Sequence, residues 1–291
     1  MSVSADEKIQ TVTGSLNYLD PYSKQSGLFV EPGHHVDAGE YTGYDVQVRN
    51  GRPVQDRFTL ERNGFTFVQQ TCPIDDFTDA DRVNEVYVPA ALETVREALG
   101  ADLIVQHPGN AWVARMGNTS GTKAQPVAAQ VHVDINAATG KRRFDEIYAA
   151  NFPDAKPYSR AVMTSFWRVI NQPPQDWPLA VCDFQSVQAH EGVDNPLLFV
   201  DKTPENAEAA RAALAIMDLE SINGGSVFYY NPNHEWWYFP EMNRDEALLF
   251  TLNDSDQSHA WRCLHSAFRD TGVSDENVRH SIEFRSIAFF H

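Results

Sequence analysis

Positive charge is scarce in this chain. Lysine and arginine number 23 against 40 aspartate and glutamate, a net charge of −17. Nucleic acid requires a basic footprint, so it is excluded as a partner. Anionic membrane surfaces would repel the chain as well. Cysteine is also scarce. Cys72, Cys182 and Cys263 contain no CxxC pair, which excludes a disulfide framework and argues against a zinc–thiolate site. Long apolar runs are missing, since a stretch such as Ala212–Met217 falls far short of the roughly 20 residues that cross a bilayer. The opening MSVSADEKIQTV has neither the basic nor the apolar region of a secretory leader. These absences predict a cytoplasmic protein whose partner is a small molecule. No GxGxxG, Walker A, GxSxG or HExxH pattern occurs, so nucleotide-binding and hydrolase templates find no support.

The hydrophobic share of 42% is enough for a sizeable core and rules out disorder. We expect a single domain over residues 1–291, with residues 1–40, polar and Gly/Pro-punctuated, forming an extended N-terminal arm or lid. A homodimer would form through that arm. Asn50-Gly51 follows an alternating run, and Asn63-Gly64 lies between two; both dipeptides predict tight hairpin turns. Val83, Val86, Tyr87, Ala91, Leu92, Val95 and Leu99 recur at helical spacing, and Gly100 stops them. From Val127 onward the pattern is that of strands: 161–170, 179–187, 227–239, 247–252 and 281–290. One helix is inserted, 203–219, with Pro204 in its first turn and Asn223-Gly224-Gly225 at its end. This is a mainly β chain with packing helices. It predicts a closed or nearly closed double-sheet barrel.

The chemistry gathers in that barrel part, which holds seven of the ten histidines. In Gln130-Val131-His132-Val133-Asp134, residues i and i+2 of a strand face one side, so His132 and Asp134 point together. Two histidines and one carboxylate form the facial triad of non-haem Fe(II) oxygenases, with three positions left open. His265 is the candidate second histidine, with His190 or His234 as the fallback. An HxD pair alone is weak and more often a surface pair. Arg279 and Ser281 share parity at the last strand, and an arginine fork with a hydroxyl suits a distal carboxylate. Arg285 shares that parity but lies further in, and reach favours Arg279. Either Trp167 or Arg168 faces inward, and Arg168 is a further candidate for cosubstrate contact. The run Trp236 to Phe239 reads as core before substrate platform. The order HxD, His, RxS fits Fe(II) with 2-oxoglutarate at two open positions and O2 at the third.

Several segments resemble the asaB-type hydroxylase/desaturase family, which takes in gibberellin-desaturase-like fungal enzymes and the cephamycin methoxylation component CmcJ. They include VQDRFTLERNGF at 54–65, QVHVD at 130–134, NQPPQDWPLAVCDFQSV at 171–187, EWWYFPEMNRDEALLF at 235–250 and RHSIEFR at 279–285. The resemblance implies a double-stranded β-helix, of the jelly-roll or cupin-like kind. It also implies Fe(II)/2-oxoglutarate chemistry in secondary metabolism. His132, Asp134 and His265 match the expected ligand positions, and Arg279 matches the cosubstrate arginine. The implied activity is oxidation of an unactivated C–H bond of a small secondary-metabolite intermediate, by hydroxylation, desaturation, or rearrangement including peroxidation. The rivals are a non-oxidative metal-dependent isomerase on the same fold and a non-catalytic partner subunit of another biosynthetic enzyme. Succinate formation that depends on O2 and substrate separates them.

Overall fold

Two β-sheets face each other across a shared apolar layer. The coordinates are a computed structural model that describes residues 9–108, 112–116 and 125–291. The strands run Thr11–Leu19 (β1), Leu28–Glu31 (β2), His34–Asp37 (β3), Tyr41–Asn50 (β4), Phe65–Gln69 (β5) and Leu103–Gln106 (β6). Next come Trp112–Met116 (β7), Gln125–Pro126 (β8), His132–Val133 (β9), Arg160–Val169 (β10), Leu179–Cys182 (β11) and Val193–Phe199 (β12). Gly224–Val227 (β13), Trp236–Tyr238 (β14), Glu246–Asp254 (β15), His265–Ala267 (β16) and His280–Phe290 (β17) complete the series. The larger sheet has the order β1-β4-β14-β11-β16-β9-β13-β12-β2-β3. The smaller has the order β5-β15-β10-β17-β7-β8, with β6 also paired to β17.

Period-two alternation decides what each strand contributes. On β17, Ile287 and Phe289 enter the core between the sheets, while Ile282 and Phe284 face the opposite side. On β10, Met163, Trp167 and Val169 face the shared core and Phe166 the far side. Val181 and Trp237 answer from the larger sheet. The far side of the smaller sheet is covered by the helix Val88–Leu99, which buries Val88, Ala91 and Val95. Gly100 ends that helix at φ +64°, the left-handed cap that glycine takes without a Cβ penalty.

Several expectations need correction. Residues 11–19 form β1, nine residues paired in register with β4, and Leu16, Tyr18 and Leu19 are buried. Residues 28–31 and 34–37 extend the other end of the same sheet. An arm would leave those apolar side chains in water, and sheet pairing buries them. Of the expected arm, residues 1–8 lie outside the described residues. Neither Asn-Gly dipeptide turns a hairpin. Asn50-Gly51 leads into a short 3-10 turn over Arg52–Arg57. Asn63-Gly64 ends the short helix Leu60–Asn63, capped by Thr59, with Gly64 at φ +82°. The left-handed glycine that signals a hairpin also serves as a helix C-cap. The helix expected over 203–219 is confined to Ala207–Leu214, with Asn206 as N-cap. Gly224 and Gly225 begin β13 and do not end that helix. A further helix, Ala137–Asn151, stands where only strands were expected.

Candidate metal centre

Three side chains from two parts of the chain converge between the sheets. His132 lies on β9, Asp134 just beyond its end, and His265 on β16. The two histidines are directly opposed across the antiparallel pair. Their rings stand 4.3 Å apart at 51°. One ligand atom from each of the three residues lies within 4.8 Å of the others. His132 Nε2 is 3.3 Å from Asp134 Oδ1.

The ring orientations are set by the backbone. His132 Nδ1 lies 2.7 Å from the Gln130 carbonyl and His265 Nδ1 lies 3.0 Å from the Cys263 carbonyl. Each imidazole thus donates Nδ1–H to the carbonyl two residues earlier. That fixes the tautomer and leaves Nε2 with its lone pair for a metal, the usual outer support of a ligating histidine. Phe250 packs against His265 at 4.8 Å. Burial, then the neighbouring His132, pulls His265 down to about 4, so it is a neutral donor at neutral pH. Burial would raise the Asp134 carboxyl, but Arg285, His132 and His265 together hold it well below the usual carboxylate range.

The same pocket is lined by Arg279, Arg115, Trp167, Leu179, Phe250 and Glu283. Arg279 is 1% exposed. Its Nη1 donates to the Trp177 carbonyl at 2.8 Å, and its guanidinium lies over the Trp167 ring. Its buried Nε has no hydrogen-bond partner among the described residues. Burial and nearby Arg115 lower its affinity for the proton to about 9. A buried guanidinium with a spare donor, facing a cavity, suits an incoming carboxylate.

The other candidate residues meet different partners. Ser281 is buried on β17, but its hydroxyl turns to the Arg115 carbonyl at 3.5 Å. Arg168 is a correction. It shares parity with Phe166 on the helix side of the sheet, sandwiched between the rings of Tyr87 and Phe166. It donates to the Arg244 carbonyl at 2.6 Å and to Gln70. Trp167, not Arg168, is the inward residue of that pair. Arg285 reaches Asp134 Oδ2 at 2.8 Å. Of the fallback ligands, His190 is exposed. His234 is held between the Tyr18 hydroxyl and Glu191, at 3.0 Å from each. Sequence reasoning missed Glu283 and Arg115, whose strand parity was readable but whose neighbours were not.

Buried histidines give the metal-free protein a pH signature. Burial lowers His265 and His107 to about 4, and also lowers His234. Between about 6.5, the unfolded histidine value, and about 4 the unfolded chain binds more protons than the folded one. Stability is therefore full above that window and falls as pH drops through it, by about 1.4 kcal/mol per pH unit for each extra proton. Urea melts in EDTA at pH 7.5, 5.5 and 4.5 check this; a flat profile would contradict neutral buried rings.

Comparison with known proteins gives the same direction. The chain is 25% identical to the alpha-ketoglutarate-dependent dioxygenase phiK of a fungal species, over 80% of each chain. It is 33% identical to the hydroxylase/desaturase asaB of Aspergillus flavus, over 45% of this chain and 56% of that one. A solved structure of the iron and alpha-ketoglutarate-dependent endoperoxidase NvfI shares the fold at a TM-score of 0.77 and 22% identity, covering 98% of this chain and 99% of that one. The chain has asaB-type hydroxylase/desaturases among its relatives, and it belongs to the family described as the oxidoreductase/YMDC permease-like domain, whose model matches residues 16–289.

Proposed function

We propose that the protein is an Fe(II)/2-oxoglutarate-dependent oxygenase of secondary metabolism that oxidises an unactivated C–H bond of a small intermediate. Hydroxylation, desaturation and oxidative rearrangement are the outcomes open to such a site. The observation that carries the reading is the convergence of His132, Asp134 and His265 within 4.8 Å beside the buried, part-partnered Arg279. We read the facing sheets as a double-stranded β-helix barrel, whose interior this site occupies.

The donor set fits the ion. Two imidazoles and one carboxylate leave positions open for cosubstrate and O2. Bound Fe(II), with 2-oxoglutarate and O2, supplies the oxidising power for C–H cleavage, which no protein side chain has. The protein's own part is positional. His132 and His265 present Nε2 because their Nδ1 atoms are held by backbone carbonyls. Arg279 takes the distal carboxylate of the cosubstrate, with Ser281 two residues further on the same side of the strand, its hydroxyl 3.5 Å from the Arg115 carbonyl. Trp167, Leu179 and Phe250 line the space and exclude water from it.

Anaerobic titration with Fe(II) and then 2-oxoglutarate tests this, with a weak visible charge-transfer band as the expected signal. Succinate should then form with O2 and substrate. Absence of the band and of succinate overturns the reading. Arg279→Leu should leave Fe(II) binding unchanged and weaken 2-oxoglutarate roughly 30-fold or more, since truncating one partner of a buried charge pair costs about 2–5 kcal/mol. Isothermal titration against the Fe(II)-loaded protein measures it.

A further inference from the structure

The Asp134 carboxylate has two oxygens, and the structure treats them differently. Oδ1 lies 3.3 Å from His132 Nε2, on the side where the ligand atoms gather. Oδ2 lies 2.8 Å from Arg285 Nη2, an ion pair in which this oxygen accepts no hydrogen bond from the described residues. The same guanidinium is held from behind, its Nε donating to Glu283 Oε1 at 2.8 Å. Glu283 and Arg285 are two residues apart on β17, so both face inward. Trp167 and Ser165 on β10 stand opposite them in register.

We propose that Arg285 confines Asp134 to ligation through one oxygen and thereby keeps a coordination position free at the metal. The inference rests on the Fe(II)/2-oxoglutarate reading and assigns Arg285 as a positioning residue within it. The count decides the matter. Two imidazoles and one carboxylate oxygen occupy three positions of an octahedral ion, and a cosubstrate chelating through two atoms brings the total to five. A carboxylate binding through both oxygens would bring it to six, and nothing further could enter. Carboxylates bind metals in either mode, so something must select. A guanidinium against Oδ2 attracts that oxygen by its charge and turns the carboxylate toward β17. Left alone, this cation would also weaken the donor. Glu283 offsets it: Asp134, Arg285 and Glu283 together carry one negative charge, the same as a lone aspartate.

Mn(II) is a suitable probe, because water-proton relaxation reports water exchanging on the bound ion without any turnover. Wild type saturated with Mn(II) and 2-oxoglutarate should retain exchangeable water. Arg285→Leu should still bind Mn(II), but its relaxivity per bound ion should fall about threefold or more as Oδ2 fills the free position. Arg285→Lys, which keeps a cation there, should restore most of it. Glu283→Gln should leave relaxivity alone and weaken Mn(II) binding by about tenfold, the lower end for loss of an outer partner. If circular dichroism shows that the leucine variant does not fold, Arg285→Gln takes its place. Unchanged relaxivity in the variant overturns the proposal. So does loss of Mn(II) binding, because Arg285 would then build the site and not limit it. A wild type that binds neither Mn(II) nor 2-oxoglutarate overturns the oxygenase reading itself, and the inference with it.

Discussion

Replacing His265 by alanine is expected to abolish 2-oxoglutarate turnover while the protein stays folded. In the proposed site the imidazole is one of two nitrogen donors, opposed to His132 across β9 and β16, and among the described residues no third histidine joins the cluster. His234, the other buried histidine that sequence reasoning held in reserve, is committed to Tyr18 and Glu191. Loss of an outer partner costs metal affinity roughly 10–100-fold, and loss of a ligand itself should exceed that. The fold loses less. The variant forfeits packing against Phe250, but it also removes a buried polar ring, so destabilisation should stay within about 1–3 kcal/mol. The two effects separate in a thermal melt. Wild type at 100 times its metal Kd gains about 2.7 kcal/mol from mass action alone, and His265→Ala, weakened more than 100-fold, should gain less than about 0.4 kcal/mol. A variant stabilised by Fe(II) as much as wild type under anaerobic conditions, or one that still forms succinate, would show that His265 is not a ligand.

The legible parts of this site were those set by strand parity and local order. His132 and Asp134 could be paired because residues two apart on an extended chain share a side, although β9 itself ends at Val133 and Asp134 follows it. His265 needed more. Its spacing said little, and the order of motifs, with the family resemblance, singled it out. Parity also put Arg279, Ser281 and Arg285 on one side, yet could not say what each would meet. Six residues of strand span roughly 20 Å, so Arg279 and Arg285 serve different ends of the pocket. Arg168 shows the limit from the other direction. Parity allowed either Trp167 or Arg168 to face inward, but the helix Val88–Leu99 covers the side on which Arg168 lies, where two rings, the Arg244 carbonyl and Gln70 engage its guanidinium. The helix Ala137–Asn151 contains Gly140, a residue that weakens a helical pattern. That glycine is required by packing: a Cβ there would lie 2.4 Å from Asn253 Oδ1. Tertiary contact, absent from any local pattern, decided each of these.

Alanine at position 225 should cost the protein its metal without touching a ligand. β13 lies against β9, with Ser226 opposite Val133 and Val227 opposite His132. A Cβ on Gly225 would sit 2.1 Å from the Val133 carbonyl oxygen and 2.9 Å from the carbonyl carbon and oxygen of Asp134. These are backbone atoms, so no side chain can rotate away. Either β13 retreats and the pairing opens, or the Val133–Asp134 peptide moves and takes the carboxylate with it. A binding constellation tolerates only about 0.5 Å of misplacement, and a clash this deep exceeds it. Fe(II) affinity should fall on the order of 100-fold, the upper end for a disturbed outer partner, with a stability loss of about 1–3 kcal/mol from overpacking. Gly224→Ala is the control. Its Cβ would lie 2.5 Å from the Asn195 carbonyl oxygen and 2.7 Å from Pro196 Cα, comparable strain directed at β12. It should destabilise to a similar degree and keep its metal. Equal metal loss in both variants would mean that general loosening of the sheet, not displacement of Asp134, governs affinity. Equal retention would mean that β9 can yield without moving the carboxylate.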